Sequence, residues 1–442
     1  MSHSKRSIFT LAFMVATAAA SGQAHAQWTG LTLANPITNP DASVTQAIPL
    51  FNPPSGVLNR PRPDYDPIGI RTGSFSLRPS IGGSGLYFSN VFNSQNNKRS
   101  DYAFELMPGL RLVSNLPRHA FNASITSRSL FFKQNTSENR TDVMAFADGR
   151  FDISAATNVT LDGGYMVYHE LRGTPDLPGN AASPTQFSIA TSRLALNHRF
   201  NRLQTQAGVS YMRLDYRDTQ LIQPGPAIRD NSDRNRNIFT VYGQGAYEFS
   251  PGYLGFLRGS YNTRNYDLRV DNAAFARDSN GFELNGGAQF ELSRLLIGQL
   301  YAGYLQQTFD DARFARASGP AFGASLQWLP TELTTVRFNA RRSVEETIIL
   351  GASSYTASRF GIGVDHELLR NLVLSADAIF DNNQYNNTAR RDRFYGMSLG
   401  AAYYMNRNLQ LNASYVLAHR DSNLTGFGFT NSIMRVGVVG TL

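Results

Sequence analysis

The sequence predicts an all-β fold: a single transmembrane antiparallel β-barrel of about 18 strands, with short periplasmic turns and longer extracellular loops. Three observations predict it. Segments of roughly ten or more residues alternate apolar and polar side chains with period two, giving ribbons with one greasy and one polar side. Tight links alternate with longer polar links along the chain, the pattern of a barrel crossing a membrane. Beyond the N-terminus, nothing comes close to the roughly 20 consecutive apolar residues that a spanning helix requires.

Residues 371–442 show the alternation most plainly. In the run that starts at Asn371, Leu372, Leu374, Ala376, Ala378 and Phe380 share one face. Ser375, Asp377 and Asp381 take the other, with Val373 and Ile379 mixed in. In the run that starts at Asn408, Leu409, Leu411, Ala413, Tyr415 and Leu417 face one way and Gln410, Asn412 and Ser414 the other.

A chain of 442 residues would suit two or three soluble domains, but a closed sheet absorbs this length as one. A hydrophobic content of 42% looks average because half of each barrel strand is polar. The 37 glycines ease curvature in a wall, and 20 tyrosines with 29 phenylalanines can furnish interfacial girdles. Cysteine is absent, which excludes disulfides, thiolate metal sites, a cysteine nucleophile and an acylated cysteine anchor. Such absence is ordinary for a barrel that passes through an oxidising periplasm. The net charge of +8 is nearly all arginine, since lysine occurs only at Lys5, Lys98 and Lys133. Arginine keeps its charge when partly dehydrated and forks onto carboxylates and phosphates. Excess positive charge is also the footprint of nucleic-acid binding. Here the arginines are spread through the strands without any nucleic-acid motif, so no nucleic-acid partner is expected.

Taken in order, 1–26 reads as a secretory signal. Lys5 and Arg6 supply the charged region, Ile8 to Ala20 the apolar core, and Ala24-His25-Ala26 the small-x-small cleavage site. A buried helix or membrane anchor is the alternative, but the apolar run is too short to span. Residues 27–70 carry Pro36, Pro40, Pro49, Pro53, Pro54, Pro61, Pro63 and Pro67 and many asparagines. Prolines withhold donors from a sheet and favour extended chain. This segment reads as a periplasmic leader; a plug folded back into the lumen is the sharper alternative.

The barrel then occupies 71–442. The strands are expected at 73–89, 102–114, 119–132, 141–153, 158–170, 185–199, 203–218, 236–249 and 253–267. The series continues at 279–292, 296–309, 319–329, 333–346, 355–368, 371–384, 393–405, 408–420 and 429–442. An even number puts both chain ends on one side. Tight links at Asn115 to Arg118, Ser154 to Thr157, Phe200 to Arg202, Ser250 to Gly252, Ser293 to Leu295, Pro330 to Glu332, Leu369 to Asn371 and Asn406 to Asn408 share one edge. They use Pro, Asn, Gly and Ser, as turns demand, and mark the periplasmic side. The longer links face outside. The longest, about Thr219 to Asn235, contains Pro224-Gly225-Pro226, and another runs about Leu171 to Pro184. A plain surface loop is the expectation for each, and a loop folded inward to narrow the pore is the alternative.

The polar faces name the candidate lumen residues. Asn122, Ser124, Thr126 and Arg128 share a face, as do Arg258, Ser260, Asn262 and Arg264. Arg337, Asn339 and Arg341 stand opposite Val336, Phe338 and Ala340, and in the last strand Arg435 stands opposite Met434, Val436, Val438 and Leu442. An arginine near the middle of the lipid costs about 2–4 kcal/mol, so Arg128, Arg258, Arg264, Arg337, Asn339, Arg341 and Arg435 should look into a wet lumen. Tyr168, Tyr216, Tyr266, Phe309 and Tyr385 are expected in an outer aromatic belt, and Phe200, Phe249, Tyr253, Trp328 and Tyr403 in a periplasmic one. The last strand should pair with the first and leave no edge. Its terminal Leu442 departs from the aromatic residue that ends many such barrels. A soluble propeller or pair of sandwiches would use shorter strands and would not alternate its link lengths.

At Pro67-Ile68-Gly69-Ile70-Arg71-Thr72-Gly73-Ser74-Phe75 the chain resembles the opening of the putative beta-barrel porin 2 family. The stretches MPGLRLVSNLPRHAFN (107–122), PTQFSIATSRLALNHRFNRLQ (184–204) and RFYGMSLGAAYYMNRNLQLNASYVLAHRDSN (393–423) are similar to its repeated hairpins. The resemblance runs from about Ile68 to the end and implies an outer-membrane barrel. Several members are associated with exopolysaccharide synthesis and export, which implies a polysaccharide conduit. No ligand residues of the family carry over.

Enzymatic motifs are missing. Gly82-Gly83-Ser84-Gly85 is followed by Leu86, so it is no nucleophile elbow, and there is no H-E-x-x-H, P-loop or dinucleotide fingerprint. His169-Glu170 and His366-Glu367 lack a second histidine at ligand spacing and read as solvated rim pairs. Asp310-Asp311 and Asp421-Ser422-Asn423 read as solvated loop acids, with calcium bridging to lipopolysaccharide as the alternative. No enzyme activity, cofactor or metal is expected. A barrel-embedded lipase, with serine and histidine meeting at a lipid-facing rim, cannot be read from sequence.

The expectation is therefore a barrel in the outer membrane of a Gram-negative bacterium, delivered by the barrel assembly machinery and surrounded by lipid and lipopolysaccharide. Its expected role is passive translocation as the outer-membrane part of exopolysaccharide export, working with polysaccharide and a periplasmic export protein. Many weak contacts along an arginine-bearing lumen pass a polymer that one tight site would trap. A diffusion porin with anion preference and a structural or adhesive barrel are the alternatives.

Overall fold

The computed structural model describes residues 56–442, apart from 175, 178, 223–226, 293–294 and 350. The expected signal peptide at 1–26, most of the leader at 27–70 and Pro224-Gly225-Pro226 lie outside the described residues.

Eighteen long strands make the wall. They are β1 (Phe75–Phe88), β2 (Asp101–Ser114), β3 (Ala120–Phe132), β4 (Arg140–Asp152), β5 (Thr157–His169) and β6 (Gln186–Phe200). The ring continues with β7 (Leu203–Tyr216), β8 (Arg236–Ser250), β9 (Tyr253–Tyr266), β10 (Ser279–Leu292), β11 (Leu296–Phe309) and β12 (Ala317–Thr331). It is completed by β13 (Thr334–Glu346), β14 (Ser354–Leu369), β15 (Leu372–Tyr385), β16 (Arg391–Tyr404), β17 (Leu409–Ser422) and β18 (Phe429–Thr441). No expected strand end is off by more than two residues.

Each strand pairs antiparallel with its chain neighbour. β1 pairs with β18 from Ser80↔Thr441 to Phe88↔Ile433, which closes the sheet and satisfies every ladder without an edge. Two short ribbons add to this. Ile70–Thr72 turns back on the start of β1, and Thr219–Gln220 pairs with Ile228–Arg229 in the longest link. Links 201–202, 251–252, 332–333 and 370–371 lie on the edge that also carries the start of β1 and the end of β18. Asn201 and Gly252 supply the positive φ such tight turns need, at 50° and 82°. The long links 89–100, 170–185, 217–235 and 267–278 occupy the other edge.

The packing is inside-out. Leu257 and Val436 are 69% and 68% exposed, while their chain neighbours Arg258 and Arg435 are 3% and 4% exposed. A soluble protein does not leave an apolar band round its whole girth open to water, whereas a bilayer covers such a band. The greasy rows are not buried against one another, which removes the sandwich and propeller alternatives. A ring of this strand number encloses a water-filled channel unless something fills it.

One expectation about the wall is corrected. Tyr168, Tyr216, Tyr266, Phe309 and Tyr385 do not form an outer headgroup belt. They sit on the inward side of their strands, Tyr385 and Phe309 buried and Tyr168 and Tyr216 packed on the cluster of Phe187, Ile189, Leu214 and Ile238. The outward rings towards that edge are others, including Tyr102, Phe131, Tyr165, Phe239, Tyr304 and Tyr395. At the tight-turn edge, Phe200, Phe249, Trp328 and Tyr403 are exposed on the outer face. Position along a strand located these aromatics correctly; the one-residue parity that selects the face was misassigned at the outer end.

Candidate functional site: the lumen and its constriction

Strand alternation turns all seven candidate lumen residues towards the interior, and the structure shows what each meets there. Arg128 Nε donates to Glu105 Oε1 at 2.5 Å, and Arg435 binds the other oxygen of that buried carboxylate. Arg264 pairs with Glu346 at 3.2 Å, Arg236 shares this acid, and the Tyr266 hydroxyl donates to it at 2.7 Å. Arg337 spans Asp365 at 2.9 Å and Asp377 at 3.1 Å. Arg258 Nε donates to Gln244 Oε1 at 2.9 Å, and its guanidinium lies 5.3 Å and 5.6 Å from the rings of Phe256 and Tyr301. Asn339 is exposed on the interior, and Arg341 has no carboxylate within ion-pair distance among the described residues.

Sequence reasoning missed the acids. Glu105, Glu346, Asp365 and Asp377 neutralise most of these arginines, so the lumen is a lattice of ion pairs rather than a bare cationic surface. The signal that finds such an acid is its height on a nearby strand, as for Asp365, or across the lumen, as for Glu346, which needs the register and the closed ring. Two other readings are corrected on the same ground. Glu170 is no solvated rim acid: it is buried and holds Arg234 at 3.0 Å, while His169 Nδ1 lies 2.8 Å from Asp142. Glu367 is likewise buried, pairing with Arg62 at 3.2 Å. Asp311 is held in place by Arg313 and by the Ala276 amide at 3.0 Å. Among the described residues no three potential ligands gather to hold a metal ion.

The link 170–185, expected to lie on the surface, turns its described residues, Arg172, Gly173 and Asp176 among them, into the barrel. Arg172 grips Glu138 through Nε–Oε2 at 3.0 Å and Nη2–Oε1 at 2.5 Å, and its Nη1 donates to the Ala181 carbonyl at 2.7 Å. Asn93 Nδ2 donates to the Arg172 carbonyl at 2.6 Å. Almost half-way round the ring, Asp176 accepts from Thr347 Oγ1 at 2.7 Å and from the Ile348 amide at 3.2 Å. Gly173 takes φ 83° between these anchors, and a Cβ there would meet Asn93 Cβ at 3.0 Å and Phe429 Cε1 at 3.3 Å. Only glycine fits that crossing. The loop leaves a cavity of about 260 Å³, whose walls include Phe88, Phe132, Phe187, Tyr216, Tyr355 and Phe394 with Arg140, Arg236 and Arg420 beside them.

The opposite mouth is narrowed too. Residues 56–69 turn back along its inner rim: the Val57 amide donates to Thr335 Oγ1 at 2.8 Å, and Arg407 Nε donates to the Pro63 carbonyl at 3.1 Å. Val57, Arg62 and Glu367 are all buried there. In the link 267–278, the Asp267 carboxyl accepts from two Arg213 nitrogens at 2.6 Å each and is held below the usual carboxylate range. Burial pushes the Asp233 carboxyl up.

Among solved structures, the chain is similar to OccK2 of Pseudomonas aeruginosa, with 10% identity over 83% of this chain and 97% of that one, at a TM-score of 0.43. It is similar to OpdL of Pseudomonas aeruginosa at 12% identity, over 84% and 99%, with a TM-score of 0.41. Likeness to the siderophore receptor PiuA of Acinetobacter baumannii is 10% identity over 84% and 82%, with a TM-score of 0.46. These likenesses say nothing about what the barrel carries. No curated protein matches the chain. The sequence profile of the family described as Putative beta-barrel porin 2 matches 62–441, from the folded-back rim segment to the closing strand, and the chain belongs to that family of outer-membrane barrels.

Proposed function

We propose that this outer-membrane channel conducts carbohydrate, as the outer-membrane part of exopolysaccharide export. The observation that carries the reading is the lining of the outer half of the lumen. Aromatic rings from Phe88, Phe132, Phe187, Tyr216, Tyr355 and Phe394 interleave there with ion-paired arginines and acids. A sugar ring has an apolar face that suits an aromatic surface and hydroxyls that bridge a guanidinium and a carboxylate. Such contacts are individually weak and repeat along the wall, which lets a chain move instead of arresting it. A periplasmic export protein would meet the tight-turn edge, where 56–69 rim the mouth. Lipid and lipopolysaccharide would cover the outward face, and the barrel assembly machinery would insert the chain after removal of 1–26.

A second reading is a diffusion porin for small solutes. The loop 170–185 favours it, because a polymer must displace that loop to pass. Deleting the gene and weighing secreted polysaccharide tests the first reading, and an unchanged yield would discard it. Conductance in planar bilayers that neutral oligosaccharides do not block would favour the porin, and no conductance at all would favour a structural or adhesive barrel.

A further inference from the structure

We propose that the periplasmic half of the lumen holds a binding site for a carboxylate-bearing sugar, built from Arg78, Arg111 and Phe146. The proposal deepens the carbohydrate reading and rests on it. Arg78 on β1 and Arg111 on β2 stand directly opposite one another in the ladder, and both face the interior. Like charges placed so are mutually destabilising. Elsewhere on the wall, Arg128, Arg337 and Arg359 each hold a carboxylate. Arg78 and Arg111 have none within ion-pair distance among the described residues. Asp148, an acid on the same face two strands from Arg111, accepts from Asn122 Nδ2 at 2.9 Å. An anion placed between two facing guanidiniums removes their repulsion and receives charge-assisted hydrogen bonds from both.

The second component is a ring that lipid should have claimed. Phe146 on β4 faces the lumen and is 37% exposed. The ladder runs Arg111↔Ser124, then Ser124↔Phe146, then Phe146↔Gly164. Adjacent strands lie about 4.8 Å apart, so the ring stands about 10 Å from Arg111 across the Ser124 hydroxyl. Gly164 gives the ring its place, since a Cβ there would meet Phe146 Cδ1 at 2.5 Å. A guanidinium pair, a hydroxyl and an exposed ring on one wall match the carboxylate, hydroxyls and apolar face of a uronic-acid unit. The site lies in the tight-turn half, so cargo rising from that side reaches it before the loop 170–185.

Isothermal titration of the full-length barrel, folded in detergent, tests the assignment with trigalacturonate and neutral galactotriose as probes. The acidic trimer should bind the native barrel at least about tenfold more tightly than the neutral one, the difference that a charge-assisted hydrogen bond makes. Arg78→Gln combined with Arg111→Gln should weaken the acidic trimer about tenfold and leave the neutral trimer unchanged. Phe146→Ala should weaken both. Mobility of unboiled samples on gels shows whether each variant has folded, and Arg78→Gln alone, at an exposed position, serves if the pair does not. Acid and neutral trimers of equal affinity, or no loss in the arginine variant, overturn this site alone. No binding of either sugar to the native barrel overturns the carbohydrate reading with it.

Discussion

Replacing Arg172 by alanine should release the loop that crosses the lumen. The guanidinium makes three contacts to Glu138, at 3.2 Å, 3.0 Å and 2.5 Å, and the two side chains are 9% and 1% exposed. Removing one partner of such a buried pair costs about 3–5 kcal/mol, because the other charge stays buried without compensation. The Asp176–Thr347 anchor at 2.7 Å remains, so the low end applies. About 3 kcal/mol moves the ratio of held to released loop roughly 100-fold. The wall itself should stay closed, since Arg172 lies in a link outside the strands. Single-channel recording in planar bilayers reads the change: the variant should open more often and to a larger unitary conductance. Because the chain has no cysteine, a reciprocal test is clean. Asp176→Cys with Thr347→Cys, bonded under oxidising conditions, should lower conductance, and reductant should restore it. Traces of Arg172→Ala that match the native barrel, together with an oxidised pair that conducts normally, would refute the assignment of this loop as the constriction.

Three further outcomes follow from the same geometry. Val436→Arg, half-way along β18 on the outward face, should destabilise the barrel in lipid vesicles by about 2–4 kcal/mol in urea titrations, although Arg435 next to it is tolerated. A neutral result would mean that this face does not meet lipid. Gly303→Ala should lower the midpoint of heat-induced mobility change by an overpacking cost of about 1–3 kcal/mol, because its Cβ would press on the Leu284 carbonyl. In the link 310–316, hydrogen bonds from Arg313, with others from the Arg313 and Ala276 amides, hold the Asp311 carboxyl below the usual range. A depressed folded value stabilises the link above the ordinary carboxylate range near pH 4, and that stability is lost as pH falls further. Amide hydrogen exchange there, divided at each pH by the intrinsic rate, should stay flat down to about pH 4 and rise only below it. A rise already at pH 6 would contradict the pinning.

How much of this was legible in the sequence follows from the range of each interaction. Strand positions were legible because alternation and turn chemistry are local: Asn201 and Gly252 announce their turns wherever the strands go. The inward arginines were legible too, since lipid excludes them whatever they touch. The outer aromatics were not. Tyr216 and Tyr266 end their strands where headgroups would welcome a ring, and only parity carried to the strand's last residue shows that they point inward. The folded loop was also out of reach, because Arg172 and Glu138 lie in different links and neither link announces the other.

Charge is where this matters for function. An arginine-rich composition suggested a cationic conduit, yet Glu105 meets both Arg128 and Arg435, which come from opposite ends of the chain and become neighbours only when the cylinder closes. Counting arginines therefore overstates the field that a solute meets. What selects cargo is the subset with no acid within reach, either on nearby strands or across the lumen. Arg78 and Arg111 belong to that subset because their register pairs them with each other. A preference for anions, if conductance shows one, should thus weaken markedly when those two side chains are removed, although the far more numerous paired arginines stay in place.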